Sequence, residues 1–182
     1  MNLLDKKYRT YNSKYWSKKN IAPSALIFYL GFSKKIKNLD HHNLFFDKDF
    51  YTHLDEIFNQ NIWPKEPLFY ACCPSKTDPS VVPSEDMENL FILIPIASDS
   101  KDEKHIKEKY LSDILDRIEN VTNESIKDSL VVKESFCVND FKERYNSYKG
   151  NAYGLANTLF QTAFLKPKIK DKKIKNLYYS GH

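Results

Sequence analysis

The stretch Ser24-Ala25-Leu26-Ile27-Phe28-Tyr29-Leu30-Gly31-Phe32 decides the fold of this chain, because aliphatic and aromatic residues follow one another there without a charge. A short apolar run that is rich in aromatic residues predicts a buried strand rather than a helix. Pro23 separates this strand from a polar segment, residues 1–20. That segment is predicted to be a helix with an aromatic face, formed by Tyr8, Tyr11, Tyr15 and Trp16.

Strands and helices alternate irregularly along the rest of the chain. Further strands are predicted at residues 39–46, 68–73, 89–97, 130–138 and 176–180. Helices are predicted at residues 47–59, with Asp47 as N-cap, at 101–120 and at 139–148, because apolar residues recur there at helical spacing. Residues 74–88 form an irregular loop rich in Pro and Ser. The pattern predicts an α/β fold of α+β-like character, with a mixed sheet.

Glycine is scarce, with 4 residues in a chain of 182, whereas the usual share is about 7%. No glycines stand at the spacing of a dinucleotide-binding turn or a P-loop, so an ordinary Gly-rich phosphate site is excluded and any dinucleotide must be held mainly by other means. Gly150 and Gly154 lie close together in Lys149-Gly150-Asn151-Ala152-Tyr153-Gly154. Because glycine is so scarce in this chain, these two positions are predicted to exclude a side chain, either in a ligand-facing surface or in a tight turn.

Charge and cysteine content restrict the class of protein. The formal net charge is +4, with 28 basic and 24 acidic residues interleaved, so we expect no nucleic-acid partner. No apolar run approaches the roughly 20 residues that a spanning helix needs, and the first residues do not resemble a signal peptide. Three cysteines, two of them adjacent, favour a reducing compartment and predict a cytoplasmic location.

Two short motifs suggest metal binding. His41-His42 is predicted to have a structural or hydrogen-bonding role, because neighbours on a strand point to opposite faces and no further ligand stands at zinc spacing. Cys72-Cys73 is predicted to pack as buried thiols rather than to bind metal. No metal is therefore expected, and metal binding by the two histidines remains the alternative.

Two charged clusters are assigned to the surface. Asp78, Glu85, Asp86 and Glu88 are predicted to be solvated, with acid/base chemistry as the alternative. The lysine-rich run at residues 166–175 is predicted to be a solvated strand, with contact to anionic lipid as the alternative.

Four blocks of sequence resemble the phytoene desaturase (carotenoid desaturase) family. They lie, in family order, at residues 22–31 with 39–42, at 74–80 with 88–91, at 145–146 with 149–154 and 161–164, and at 175–181. The resemblance implies an FAD-dependent oxidoreductase of the amine-oxidase-like flavoproteins, which desaturates phytoene towards lycopene by hydride transfer to FAD. It also implies a long apolar polyene substrate and peripheral membrane contact. The aromatic-rich strands would form the wall of the polyene tunnel, or else ordinary core.

The resemblance implies a domain organisation and a set of site residues. Residues 1–166 would form the polyene-binding domain of a two-domain enzyme, and residues 167–182 would lead back to an FAD-binding domain whose Gly-rich unit this sequence lacks. Such a fragment of the C-terminal half is expected to be inactive alone. The cofactor-contacting residues would be Gly150, Gly154 and Gly181. The substrate-contacting residues would be Asn151, Tyr153 and Gln161.

The chain departs from the family in one stretch where some relatives carry basic residues and this chain has Asp49 and Tyr51. Catalytic roles that depend on those basic residues do not transfer, so no catalytic residue is assigned. Two alternatives remain: a related C30 or later-step carotenoid desaturase or isomerase, and an inactive fragment that binds only apolar ligands or a membrane surface.

Overall fold

Two units make up the structure, a computed structural model that describes residues 4–179, apart from the side chain of Phe164. The larger unit is Pro23–Ala152. The smaller unit combines residues 4–22 with residues 153–179.

A five-stranded sheet forms the centre of the larger unit. Its strands are β1 (Ser24–Phe32), β2 (His42–Phe45), β3 (Phe69–Cys72), β4 (Glu88–Ile96) and β5 (Leu130–Phe136). Their order across the sheet is β2-β3-β4-β1-β5. The first predicted strand is confirmed at its predicted bounds, and it pairs with β4 along its whole length, from Ser24 opposite Ile96 to Phe32 opposite Glu88.

The pairings in this sheet are all antiparallel among the described residues. The prediction of a mixed sheet was therefore wrong, although the mixed α/β class is confirmed. Antiparallel strands can expose one face to solvent and bury the other, which gives an alternating pattern of burial. Strand β4 follows that pattern strictly, with every second residue buried.

Among residues 4–179 the larger unit has the α-helices α2 (Phe50–Asp55), α3 (Lys104–Thr122) and α4 (Val138–Tyr145), and the smaller unit has α1 (Ser13–Trp16). A π-helical turn, Glu56–Gln60, continues α2. Single 3-10 turns lie at Lys6–Tyr8, Pro74–Lys76, Pro79–Val81, Lys127–Ser129, Tyr148–Gly150 and Ala163–Leu165. The N-cap of α2 is Asp49, whose carboxylate accepts a hydrogen bond from the Thr52 amide at 2.6 Å. The predicted cap, Asp47, instead forms an ion pair with Arg117.

The core lies between α3 and one face of the sheet. Ile114 and Ile118 of α3 are fully buried with Phe28 of β1 and Ile92 of β4. Burial of such side chains is worth roughly 1.5–3 kcal/mol each. The core therefore fixes which face of the sheet is closed and leaves the opposite face for other contacts.

A buried carboxylate closes the end of this core, contrary to the prediction for Glu88. Its side chain has no solvent exposure, and its oxygens lie 2.9 Å from the Lys76 ammonium and 3.4 Å from that of Lys35. The Ser75 hydroxyl and the Ile36 amide donate hydrogen bonds to it. The sequence predicted a solvated position for Glu88. Because Glu88 pairs with Phe32 across β1 and β4, its side chain lies on the buried face of the sheet.

The smaller unit consists mostly of turns. Residues 4–20 do not form the continuous helix that was predicted over residues 1–20; they contain the 3-10 turn Lys6–Tyr8 and α1, which Asn12 caps by accepting a hydrogen bond from the Tyr15 amide. The aromatic residues form a cluster instead, with Tyr11 against Tyr15, Trp16 and Tyr179. The predicted strand at 176–180 is reduced, within the described residues, to a single bridge between Lys170 and Tyr178.

Candidate functional site

The face of the sheet opposite α3 carries half-buried and exposed apolar side chains. Strand pairing places Tyr29 opposite Phe91, Phe91 opposite Cys72, and Gly31 opposite Val132. Because directly opposed residues of antiparallel strands share a face, these side chains form one surface. The name "open face" is used below for Tyr29, Gly31, Leu44, Tyr70, Cys72, Phe91 and Val132.

Helix α4 limits this surface at one end. Phe141 of α4 packs against Phe136 of β5, with ring centroids 4.8 Å apart. Beyond that contact the open face is accessible: Tyr29 is 48% exposed, Val132 53% and Leu44 65%. Contiguous exposed apolar surface in a soluble protein is typical of a binding surface.

A groove of about 500 Å³ runs over the open face. Its lining is mostly apolar and includes Tyr29, Gly31, Cys72, Pro74, Phe91 and Val132. This volume lies within the range of small-molecule binding sites, about 300–1,000 Å³. A side chain at Gly31 would place its Cβ 3.1 Å from Cβ of Val132, so the glycine allows the Val132 side chain to pack closely over β1.

Three aromatic rings from three strands meet in the open face. The ring centroids of Tyr29 and Phe91 are 5.5 Å apart, and those of Tyr70 and Phe91 are 6.3 Å apart. Tilted and edge-to-face arrangements of this kind are favourable for aromatic pairs. The rings offer a large apolar area with few polar atoms, which suits an elongated hydrocarbon better than a polar ligand.

Two of the predicted site residues, Gly150 and Asn151, belong to a closed turn of the larger unit. Gly150 is buried, its φ is +61°, and an added Cβ would lie 2.5 Å from the carbonyl oxygen of Val138. The Asn151 side chain donates a hydrogen bond to the carbonyl of Tyr148 at 2.6 Å. Tight packing within the chain therefore accounts for the glycine, and the predicted ligand contacts stay predictions.

The other predicted residues within the described range belong to the smaller unit. The side-chain amide of Gln161 accepts a hydrogen bond from the backbone N–H of Asn20 and donates to the backbone carbonyls of Asn20 and Ala156. Gly154 has a φ of +77°, and its carbonyl accepts a hydrogen bond from Ala22 at 2.9 Å. Tyr153 is half exposed, and partial burial raises its pKa.

The last predicted cofactor residue, Gly181, lies outside the described residues. Within residues 4–179, α3 begins after Glu103 and α4 after Cys137, so neither of these longer helices follows a Gly-rich turn. The space beside Gly150 is occupied by Val138 rather than left for a ligand. The two longer helices and the turn at Gly150 therefore do not offer a site for the dinucleotide part of FAD, and we derive no chemical step through that cofactor.

Among the described residues, no helix is both long enough and apolar enough to cross a membrane.

Comparison with known proteins identifies the family. The chain is 41% identical over 179 residues to carotenoid 3,4-desaturase of Haloarcula japonica, covering 98% of this chain and 36% of that protein. It is 30% identical to 4,4'-diapolycopen-4-al dehydrogenase of Metabacillus indicus, over 88% of this chain and 32% of that protein. It is 29% identical to zeta-carotene-forming phytoene desaturase of Myxococcus xanthus, over 98% of this chain and 34% of that protein.

Two of these relatives are desaturases by name, and the third is a dehydrogenase. The chain belongs to the carotenoid and phytoene desaturase family. It spans about a third of the length of the curated relatives that it matches. No family model matches the sequence.

Proposed function

We propose that this chain forms the polyene-binding part of a carotenoid desaturase, with the open face as one wall of the substrate tunnel. The observation that carries the proposal is the groove of about 500 Å³ in an apolar, aromatic surface of the sheet. A carotenoid precursor has almost no polar atoms, so binding depends on apolar area and on shape rather than on hydrogen bonds. Contact with the rings of Tyr29, Tyr70 and Phe91 would orient the chain and exclude water.

The oxidant in this proposal is FAD, by resemblance to the family. When bound, a flavin supplies the redox chemistry, and the protein supplies position and an apolar environment. The described residues contribute the second part only. Peripheral contact with a membrane is part of the same proposal, because a long hydrocarbon substrate is held in lipid.

Two reactions are candidates for the whole enzyme. The first is desaturation of phytoene towards lycopene, which the four blocks of family-like sequence favour. The second is a later-step desaturation, favoured by the 41% identity to a carotenoid 3,4-desaturase. Both add conjugated double bonds to a polyene, so they differ in substrate rather than in the type of surface required.

A chimera tests the proposal and separates the two reactions. The chain replaces the matching 179 residues of the Haloarcula japonica protein, and the chimera is expressed in one host that accumulates phytoene and in another that accumulates lycopene. New products with longer absorption wavelengths in the phytoene host support the first reaction; new products in the lycopene host alone support the second. A folded chimera that retains flavin but forms no product in either host contradicts the proposal.

A substitution within the chimera ties the activity to the open face. Phe91→Asp places a charge in the groove, and we expect product formation to fall at least tenfold. The matched control is Tyr51→Asp, because Tyr51 is an exposed aromatic residue of α2 outside the open face. Equal loss of product in both variants would show that the open face has no special role.

A further inference from the structure

Three side chains that commonly ligate transition metals meet at the ends of β2 and β3. His42 lies directly opposite Cys72 in the strand register, and His41 precedes it in the chain. One potential ligand atom from each residue lies within 4.8 Å of the other two. The two imidazole rings have centroids 4.2 Å apart, and Sγ of Cys72 is 3.8 Å from Nδ1 of His42.

Strand geometry and spacing along the chain favoured a structural role for His41 and His42. Strand β2 begins at His42, so the alternation that separates neighbouring side chains does not extend to His41. The third group comes from β3, which is brought next to β2 only by sheet pairing. Spacing along the sequence therefore could not indicate Cys72 as a ligand.

Hydroxyl groups hold both imidazole rings in place. Oγ1 of Thr77 is 2.6 Å from Nδ1 of His41, and the hydroxyl oxygen of Tyr70 is 2.6 Å from Nδ1 of His42. Metal-binding histidines commonly have such a partner on one ring nitrogen, which fixes the orientation of the ring. His42 is exposed, and His41 and Cys72 are half-buried, so an ion from solvent can reach the cluster.

We propose that His41, His42 and Cys72 bind a zinc ion, with water as the fourth ligand. A thiolate with two imidazoles matches zinc, whereas magnesium and calcium prefer oxygen ligands. Zinc–ligand bonds of about 2.0–2.3 Å give tetrahedral edges of roughly 3.3–3.8 Å. The potential ligand atoms here lie within 4.8 Å of one another, so binding of the ion would draw them together by about 1 Å. This proposal does not depend on the proposed function.

Cobalt(II) is the spectroscopic probe for the test, because a thiolate ligand gives it an intense near-ultraviolet charge-transfer band. The 182-residue chain is titrated with Co²⁺ and then with Zn²⁺. We expect one equivalent of Co²⁺ to bind with tetrahedral visible bands and a charge-transfer band, and one equivalent of Zn²⁺ to remove both. Absence of a saturable cobalt spectrum, together with absence of zinc binding by calorimetry, would overturn the proposal.

Variants locate the ion. His41→Ala, His42→Ala and Cys72→Ser are each expected to weaken zinc binding at least tenfold, and Cys72→Ser also removes the charge-transfer band. The matched control is His105→Ala, because His105 is an exposed histidine of α3 that contacts Glu103. Circular dichroism verifies that each variant keeps the wild-type fold. Zinc binding that Cys72→Ser leaves unchanged, or that His105→Ala abolishes, places the ion elsewhere and overturns the proposal.

Discussion

Tyr29 and Phe91 lie directly opposite each other on β1 and β4, with their ring centroids 5.5 Å apart on the open face. Phe91 also contacts the ring of Tyr70 on β3. Three neighbouring strands thus contribute aromatic rings to the side of the sheet that the core does not use. Under the proposed function, this surface would contact the polyene.

Thiol reactivity is expected to distinguish Cys72 from the other two cysteines. Burial raises the pKa of Cys73 to about 11, with a further contribution from the nearby Glu88 carboxylate. Burial likewise raises the pKa of Cys137 to about 12, with Asp102 adding to the effect. Only thiolates react quickly with alkylating reagents, and Cys72 is the partly exposed cysteine.

We therefore expect iodoacetamide to label one thiol of the native chain rapidly and all three in denaturant, as measured by mass spectrometry. The control is Cys72→Ser, which should remove the rapid phase. Rapid labelling of two or more thiols in the native chain would contradict the burial of Cys73 and Cys137.

Gly150→Ala is expected to destabilise the larger unit strongly. The new Cβ would lie 2.5 Å from the Val138 carbonyl oxygen, which is backbone, and φ is +61°. Strain and overpacking together should lower the free energy of unfolding by about 2–4 kcal/mol. Urea denaturation followed by circular dichroism measures the change.

Gly31→Ala is the matched control for that substitution. Its Cβ would meet the side chain of Val132 at 3.1 Å, and Val132 is half exposed and free to shift. We expect a loss below about 1 kcal/mol, within the range of ordinary glycine-to-alanine changes. Equal urea midpoints for the two variants would contradict the packing described for Gly150.

The Glu88 carboxylate is expected to make stability depend on pH. Burial alone would raise its pKa, but hydrogen bonds from Ser75, Lys76 and the Ile36 amide outweigh burial and hold the pKa below its usual range. A carboxyl with a lowered folded pKa stabilises the fold above its unfolded pKa of about 4.3. That contribution is lost as the pH falls from there through the lower folded pKa.

Glu88→Gln removes the charge and leaves the two lysines without their partner. We expect a loss of about 1.5–3 kcal/mol at neutral pH, because the two ammonium groups are partly exposed, and a shallower decline in stability below pH ~4. The control is Glu66→Gln in the exposed pair with Lys48, where the loss should stay below about 1 kcal/mol. A similar loss in both variants, or an unchanged acid profile for Glu88→Gln, would show that Glu88 is not held as described.

The sequence predicted those elements whose signal is local. The apolar runs of β1 and β4 and the helical periodicity of α3 gave bounds within three residues of the observed ones. The segment at residues 1–20 failed, because its aromatic spacing suits a helix but its rings pack as a cluster around Tyr11. In a short polar segment, tertiary contacts outweigh helix propensity.

Features that depend on strand pairing could not be predicted in the same way. The sequence predicted that Glu88 belongs to a solvated acidic cluster. In the structure, Glu88 lies opposite Phe32, and its side chain is therefore on the buried face of the sheet. Cys72 meets His42 only because β2 and β3 are neighbours. The scarcity of glycine indicated that position 150 excludes a side chain. In the structure, a Cβ at Gly150 would collide with the backbone of Val138. Contact of Gly150 with a flavin remains a prediction.

Carotenoid retention tests the central claim, that the open face binds a polyene, most directly. The chain and its variants are produced in a lycopene-accumulating host and purified in detergent, and the bound carotenoid is quantified per mole of protein by absorbance after extraction. We expect the wild-type chain and Tyr51→Asp to retain carotenoid, and Tyr29→Asp and Phe91→Asp to retain at least tenfold less with an unchanged circular dichroism spectrum. Retention by Phe91→Asp equal to that of the wild-type chain, or no retention by any of the four proteins, would contradict the claim.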